Sequence, residues 1–280
     1  MKNKKAAAIS QYSFKSYGVK LGVRAKSKIL LKEIEERIGE ILPGGVDSIE
    51  RSEAEHFIDL EKKSGGEFKI YKNGEMVASG AATADEESFF NFINSQIRLT
   101  VAEMAVGRVF LHAGAVGWKG RAVIIPASSF AGKSSLVAAL IKKGAVYYSD
   151  EYAVLDENGL VSPFPKMLSL RGITDDYKQV ERAAESLGGV VGEAPIPVSL
   201  VLICKFDRRR KKQKKFAPEI LSAGQGMLEI LAHTIPIRHD PEFALKILYK
   251  ITSRAIIARC QRGEAEDFAK LLIDFLDAAV

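Results

Sequence analysis

A chain of 280 residues, 47% hydrophobic and 27% charged, has the length and apolar content for a folded core of one large or two modest domains, which excludes global disorder. Its two cysteines, Cys204 and Cys260, lie far apart in no metal-like spacing. They exclude a disulfide framework and are expected to stay reduced, as in a cytoplasmic protein. Much of the net charge of +6 sits in one block, Arg208 to Lys215, where seven of eight residues are Lys or Arg, with no aromatic RNA-binding signature or zinc finger beside it, which argues against nucleic acid as the partner.

The N-terminus, Met1-Lys2-Asn3-Lys4-Lys5-Ala6, is basic but leads into no apolar segment of signal-peptide length, and no stretch approaches the roughly 18 apolar residues of a membrane helix. A soluble, intracellular protein is expected. Tyr17, Val19, Leu21 and Val23 alternate, so Tyr12 to Val23 reads as one half-buried strand. Ile29, Leu30, Ile34, Ile38 and Ile41 recur at helical spacing, and Pro43-Gly44-Gly45 ends that helix. Phe57 to Leu60, Phe68 to Tyr71 and Met76 to Ala78 read as short strands, the last two joined by a tight Asn73-Gly74 turn. Asp85 is the candidate N-cap of a helix with Phe89, Phe92, Ile93, Ile97 and Met104 on one side. Residues 1–105 therefore form a small α+β unit with no chemistry of its own, and 106–280 a second domain.

In the second domain Val109-Phe110-Leu111 is a strand leading to His112, and Arg121 to Ile125 is an apolar strand ending at Pro126. A helix from Lys133 to Lys143 and a strand from Val146 to Tyr148 follow. Asp156-Glu157-Asn158-Gly159 turns the chain toward a loop with Pro163 and Pro165. Val198 to Phe206 reads as a strand, with the basic block as the charged tip of a β-hairpin and Phe216 to Leu221 as its return. A docking patch for an acidic partner is the other reading of that block. Two helices close the chain, Pro241 to Arg254 and Glu264 to Ala279. The stripe Phe268, Leu271, Leu272, Phe275 and Leu276 on the second is core or a contact between copies in a homo-oligomer.

Between the Arg121 strand and the Lys133 helix stands Ala127-Ser128-Ser129-Phe130-Ala131-Gly132-Lys133-Ser134. A phosphate-binding P-loop has Gly, four residues, then Gly-Lys-Ser/Thr between a strand and a helix. Backbone N–H groups there turn inward around phosphate oxygens at the positive end of the helix dipole. Lys133 is placed for the β,γ-phosphates and Ser134 for magnesium. The candidate nucleotide-binding residues are Ser128, Ser129, Phe130, Ala131, Gly132, Lys133, Ser134 and Ser135. Ala127 replaces the first glycine, which costs about 1 kcal/mol if that position needs a positive φ.

Asp150-Glu151 follows Lys133 by seventeen residues. A helix of about eleven residues carries the chain roughly 16 Å away. Six extended residues return it by roughly 20 Å, beside the phosphate loop. A carboxylate there holds magnesium, with Ser134, Asp150 and Glu151 as candidate ligands, or takes a proton from an attacking hydroxyl. A surface Asp-Glu at a strand end is the alternative. His112 either faces the same pocket, where it would tune Asp150, or is a satisfied core histidine.

The order strand-His112, P-loop, short helix, Asp150-Glu151 resembles HPr kinase/phosphorylase, of the phosphoenolpyruvate-carboxykinase-like fold. The resemblance covers about Val109 to Ile173 and implies a P-loop kinase core within a mixed α/β fold, with the N-terminal unit atypical. It makes Lys133 and Ser134 the phosphate and magnesium residues. Asp150 becomes the general base, Glu151 the second acidic position, and His112 the residue that contacts the base. Leu168-Ser169-Leu170-Arg171-Gly172-Ile173 is similar to the signature segment, with Arg171 approaching the phosphates and Ser169 standing where the family has a metal-binding glutamate.

The expected function is an ATP- and Mg2+-dependent kinase acting on a hydroxyl, a serine of a small protein or peptide. The alternatives are a nucleotide-binding regulatory or scaffold protein without turnover, favoured by Ala127 and Ser169, and a small-molecule kinase of the same fold.

Overall fold

The computed structural model describes residues 9–62, 67–80, 86–127, 131–170, 180–210 and 215–279. Ser128 to Phe130, Arg171 to Ile173 and the Asp85 cap lie outside them. The chain divides into two compact units, Met1–Val106 and Gly107–Val280.

In the first unit, β1 (Ser10–Ser16) and β2 (Val19–Ala25) form a hairpin where the alternation suggested one strand. Tyr17 and Gly18 both take positive φ, 48° and 81°, so a two-residue turn reverses the chain. Residues on the two arms pair face to face, Phe14 with Leu21 and Tyr12 with Val23. Period two therefore runs past the reversal without marking it. Ser27 caps α1 (Lys28–Ile41), which buries Leu31, Ile34, Ile38 and Ile41. Ile29, expected on that stripe, is 83% exposed. β3 (Asp47–Ser48), β4 (His56–Lys62), β5 (Phe68–Lys72) and β6 (Glu75–Gly80) complete a sheet of order β3-β1-β2-β4-β5-β6. The Asn73-Gly74 turn lies between β5 and β6 as expected. Helix α2 (Glu86–Met104) packs Phe90, Ile93, Ile97 and Val101 into the same core as α1.

The second unit begins with β7 (Val109–Trp118), which runs through His112 instead of ending there. The elements that follow are β8 (Arg121–Pro126), α3 (Lys133–Ile141), β9 (Val146–Ser149), β10 (Tyr152–Leu155) and β11 (Leu160–Ser162). β12 (Leu168–Leu170) and β13 (Val180–Arg182) pair only with each other among the described residues. Then come β14 (Ile196–Phe206), β15 (Glu219–Ile220), α4 (Ala223–Leu231), α5 (Pro241–Thr252), β16 (Ile256–Arg262) and α6 (Ala265–Ala279). The main sheet has the order β11-β10-β7-β8-β14-β16-β15, with β9 also on β7. Strands β8, β14 and β16 are parallel.

The apolar run in β8 follows from burial on both faces. Val123 and Ile125 join the core under α3 and α6, while Ala122 and Ile124 join the core under α4 and α5. Helix α3 is buried from Leu136 to Ile141, lying between the sheet and the α6 stripe of Phe268, Leu272 and Leu276. That stripe is core. The basic block is not the tip of a β14–β15 hairpin. β15 pairs antiparallel with β16, and Phe216 packs edge-on against Phe268 and Phe275. Cys204 and Cys260 meet across β14 and β16 with Sγ atoms 3.3 Å apart, both as free thiols. Among the described residues no helix is long and apolar enough to cross a membrane.

Candidate functional site

The candidate phosphate loop leaves β8 at Pro126 and enters α3 at Lys133. Ala127 lies outside the left-handed region, so replacing the first glycine there carries no strain of that kind. The left-handed residue is Gly132, at φ 79°, which serves as N-cap of α3. Its carbonyl accepts the first helical bond from Leu136 N–H at 3.2 Å and a second from Arg262 Nη2 at 2.7 Å. A side chain at this position would meet that guanidinium, a Cβ falling 2.4 Å from Nη2.

Lys133 is drawn across β7 by a gap on the strand. A Cβ at Gly114 would lie 2.6 Å from Val137 Cγ2 and 3.2 Å from Lys133 Cγ, so only glycine lets α3 approach this closely. Burial lowers the pKa of Lys133, while the nearby charges of Asp150 and Glu151 oppose that fall.

Asp150 and Glu151 sit on the turn between β9 and β10. The Ser149 hydroxyl, fully buried, accepts from the N–H groups of Glu151 and Tyr152 at 3.2 and 3.1 Å. Glu151 O accepts from Ala113 N–H at 3.2 Å and ties the turn to β7. The carboxylate of Asp150 thus comes back to Lys133 and Ser134, as the spacing required. It is 6% exposed. Oδ2 accepts from Ser169 N–H in a long contact of 3.4 Å, and Oδ1 has no hydrogen-bond partner among the described residues. Burial raises its pKa to about 6, against the opposing pull of Lys133, the Ser134 hydroxyl, the Ser169 amide and Lys166. Ser169 therefore touches the site through its backbone.

Glu151 lies 3.5 Å from Lys166 Nζ, which is also 3.5 Å from Glu181. No hydrogen bond joins the His112 imidazole to Asp150. Its neighbours are Tyr152, 6.3 Å away between ring centroids, and the charges of Lys133 and Glu151. Burial first, then Lys133, pushes its pKa down to about 4, so the ring is neutral at pH 7. His112 N–H donates to His233 O at 2.8 Å, and His233 is likewise shifted down by burial and by Lys133.

No family model matches this chain, and no curated protein matches it. The site therefore rests on its own geometry. Lys133, Ser134, Asp150, Glu151 and His112 gather at one end of the β7–β8–β9 sheet region. Ala131, Gly132 and Ser135 flank them on the loop and helix, and Ser128, Ser129, Phe130 and Arg171 fall outside the described residues. Lys166, His233 and Arg262 were not anticipated. His233 and Arg262 arrive from far along the chain, Lys166 from the loop before β12, and none carries a local motif. Among the described residues no three His, Cys, Asp or Glu side chains converge as a metal cage.

Proposed function

We propose that the second unit binds a magnesium–nucleoside triphosphate and transfers its terminal phosphoryl group to a hydroxyl, that of a serine in a small protein or peptide. The observation that carries this reading is Asp150 Oδ1. It belongs to a buried carboxyl with a pKa of about 6, held between Lys133 and Ser134, and among the described residues this oxygen has no hydrogen-bond partner while Oδ2 accepts from Ser169 N–H. A structural carboxylate at that depth is expected to be paired. A base for a hydroxyl acceptor needs a free oxygen and a pKa near the working pH.

Lys133, at the start of α3, is suited to bind and orient the β- and γ-phosphates with the loop amides. Ser134 and Asp150 would hold magnesium, a cation that keeps water and phosphate oxygens and needs few protein ligands. When bound, it would supply positive charge to the phosphate oxygens. Asp150 would accept the acceptor's proton at Oδ1. The neutral imidazole of His112 leaves the positive charge near the phosphates to Lys133.

A second reading, nucleotide binding without turnover, draws on the Lys166–Glu151 pair, which diverts the second acidic residue from the metal. Incubation of the wild-type protein with labelled ATP, magnesium and cell extract decides between them. Transfer of label to an acceptor is expected, and tight Mg-ATP binding with no labelled acceptor would leave the regulatory reading in its place.

A further inference from the structure

The guanidinium of Arg262 is buried, at 3% exposure, at the end of β16, two strands away from the candidate phosphate loop. Its register partner is Phe206 at the end of β14, whose ring lies 5.2 Å from the guanidinium carbon. Nη1 donates to Gly263 O at 2.8 Å and Nη2 to Gly132 O at 2.7 Å. No carboxylate lies within ion-pair distance of it among the described residues. The charge of Glu264 stabilises the guanidinium from beyond that distance, and its hydrogen bonds go only to carbonyls, so it is paired with no contacting counter-charge.

We infer that Arg262 is a positioning residue for phosphate binding, pinning the Gly132 carbonyl from behind and adding positive charge to the anion site at the N-terminus of α3. Two features make the pin directional. The Gly132 carbonyl already accepts from Leu136 N–H, so the second donor fixes the carbonyl plane at the loop–helix junction. With the carbonyl held backward, the following amides face the opposite way, toward the phosphates. The guanidinium also spans two carbonyls on separate segments, Gly132 and Gly263, through two nitrogens of one rigid plane, a pre-organised fork that the single point charge of an ammonium lacks. The ligand would add to the distant charge of Glu264, its phosphates placing negative charge on the other side of the junction.

This inference rests on the nucleotide reading above, and its test separates the two. Mg-ATP binding is measured by calorimetry for wild type, Arg262→Lys, Arg262→Met and Arg262→Ala, with thermal melting of each. Arg262→Met is expected to bind at least tenfold more weakly while still melting cooperatively, with Arg262→Lys between it and wild type. Millimolar guanidinium ion should restore part of the lost affinity to Arg262→Ala, and ammonium at equal ionic strength should not, a rescue that general destabilisation would not show. If wild type fails to bind Mg-ATP, the nucleotide reading fails and takes this inference with it. If wild type binds and Arg262→Met binds equally, only the inference fails. Should the Met and Ala proteins not fold, Arg262→Lys carries the test, and wild-type affinity in that folded variant overturns the pinning role.

Discussion

The two units treat their carboxylates differently. In the first, ion pairs join neighbouring elements near the surface: Lys20 with Glu55, Arg24 with Asp59, and Lys72 with Glu103. Each partner is at least one-fifth exposed, the buried Arg98 donates to the Ser95 hydroxyl, and among the described residues the buried atoms left without partners in this unit, Asn94 Oδ1 and His56 Nδ1, belong to no carboxylate. The second unit buries Asp150 and Arg262 and half-buries Lys133 and His112 around one loop, and both Asp150 and His112 are displaced far from their ordinary pKa values. Burying charge imperfectly matched costs several kcal/mol. A unit built only for stability has no use for that cost, and this contrast is the argument for proposing the ligand site in the second unit.

The sharpest way to break this contrast is Lys133→Ala. Removal of the loop ammonium, with its charge-assisted bonds to phosphate oxygens, is expected to weaken Mg-ATP binding by about 10² or more while the fold persists. Unchanged affinity by calorimetry would show that Lys133 is not the phosphate lysine. Next in size is Asp150→Asn, expected to leave Mg-ATP binding within several-fold and to lower turnover by about 10². A matching loss of binding, with a raised magnesium requirement, would instead make Asp150 mainly a metal ligand.

How much of this was legible in the sequence depends on chain distance. The loop, Asp150-Glu151 and His112 all lie within β7 to β10, where each element is adjacent to the next, so spacing and helix rise sufficed to bring them together. Arg262 is far along the chain from Gly132, and the parallel order β8-β14-β16 that joins them has no local signature. The same order brings Cys204 beside Cys260 and removes the expected hairpin below the basic block. Lys166 reaches Glu151 from a proline-containing loop that no periodicity describes. In the first unit, the turn at Tyr17-Gly18 was hidden because the pairing register preserves the alternation on both arms.

A third prediction uses pH. The pKa of Asp150 is raised in the folded state, so its contribution is fully favourable below pH 3.8 and is lost as pH rises through about 6. His112 is lowered from 6.5 to about 4, so its contribution is present above pH 6.5 and is lost as pH falls through about 4. The two slopes oppose each other across the same window. Relative to wild type, Asp150→Asn should therefore gain about 1–3 kcal/mol of stability between pH 4 and pH 7. His112→Asn should lose about as much relative to wild type over the same rise in pH, on top of any constant packing cost. Urea unfolding at pH 4, 5.5 and 7 reads both, and differences independent of pH would sink the claim that these groups titrate abnormally.

The smallest expected effect lies in the first unit and completes the contrast. Arg24 and Asp59 are register partners on the parallel strands β2 and β4. The guanidinium meets both carboxylate oxygens, Nε at 2.5 Å from Oδ1 and Nη2 at 2.7 Å from Oδ2, and it lies 4.2 Å from the centroid of the Phe57 ring. Asp59→Asn leaves one carbonyl to accept from the fork and turns an amide toward it, so the bidentate match is lost. Because the pair is partly exposed, water recovers much of that loss, and destabilisation of about 0.5–1 kcal/mol is expected. Asp150→Asn, the same chemical change, is instead expected to gain stability relative to wild type as pH rises from 4 to 7. Affinity for Mg-ATP should stay at the wild-type value, since no group of the candidate site belongs to the first unit. Chemical unfolding of Asp59→Asn at pH 7, beside the pH series for Asp150→Asn, checks both, and calorimetry checks the affinity. If Asp59→Asn stabilised the protein, or if the difference between Asp150→Asn and wild type did not change between pH 4 and pH 7, the contrast between the units would fail.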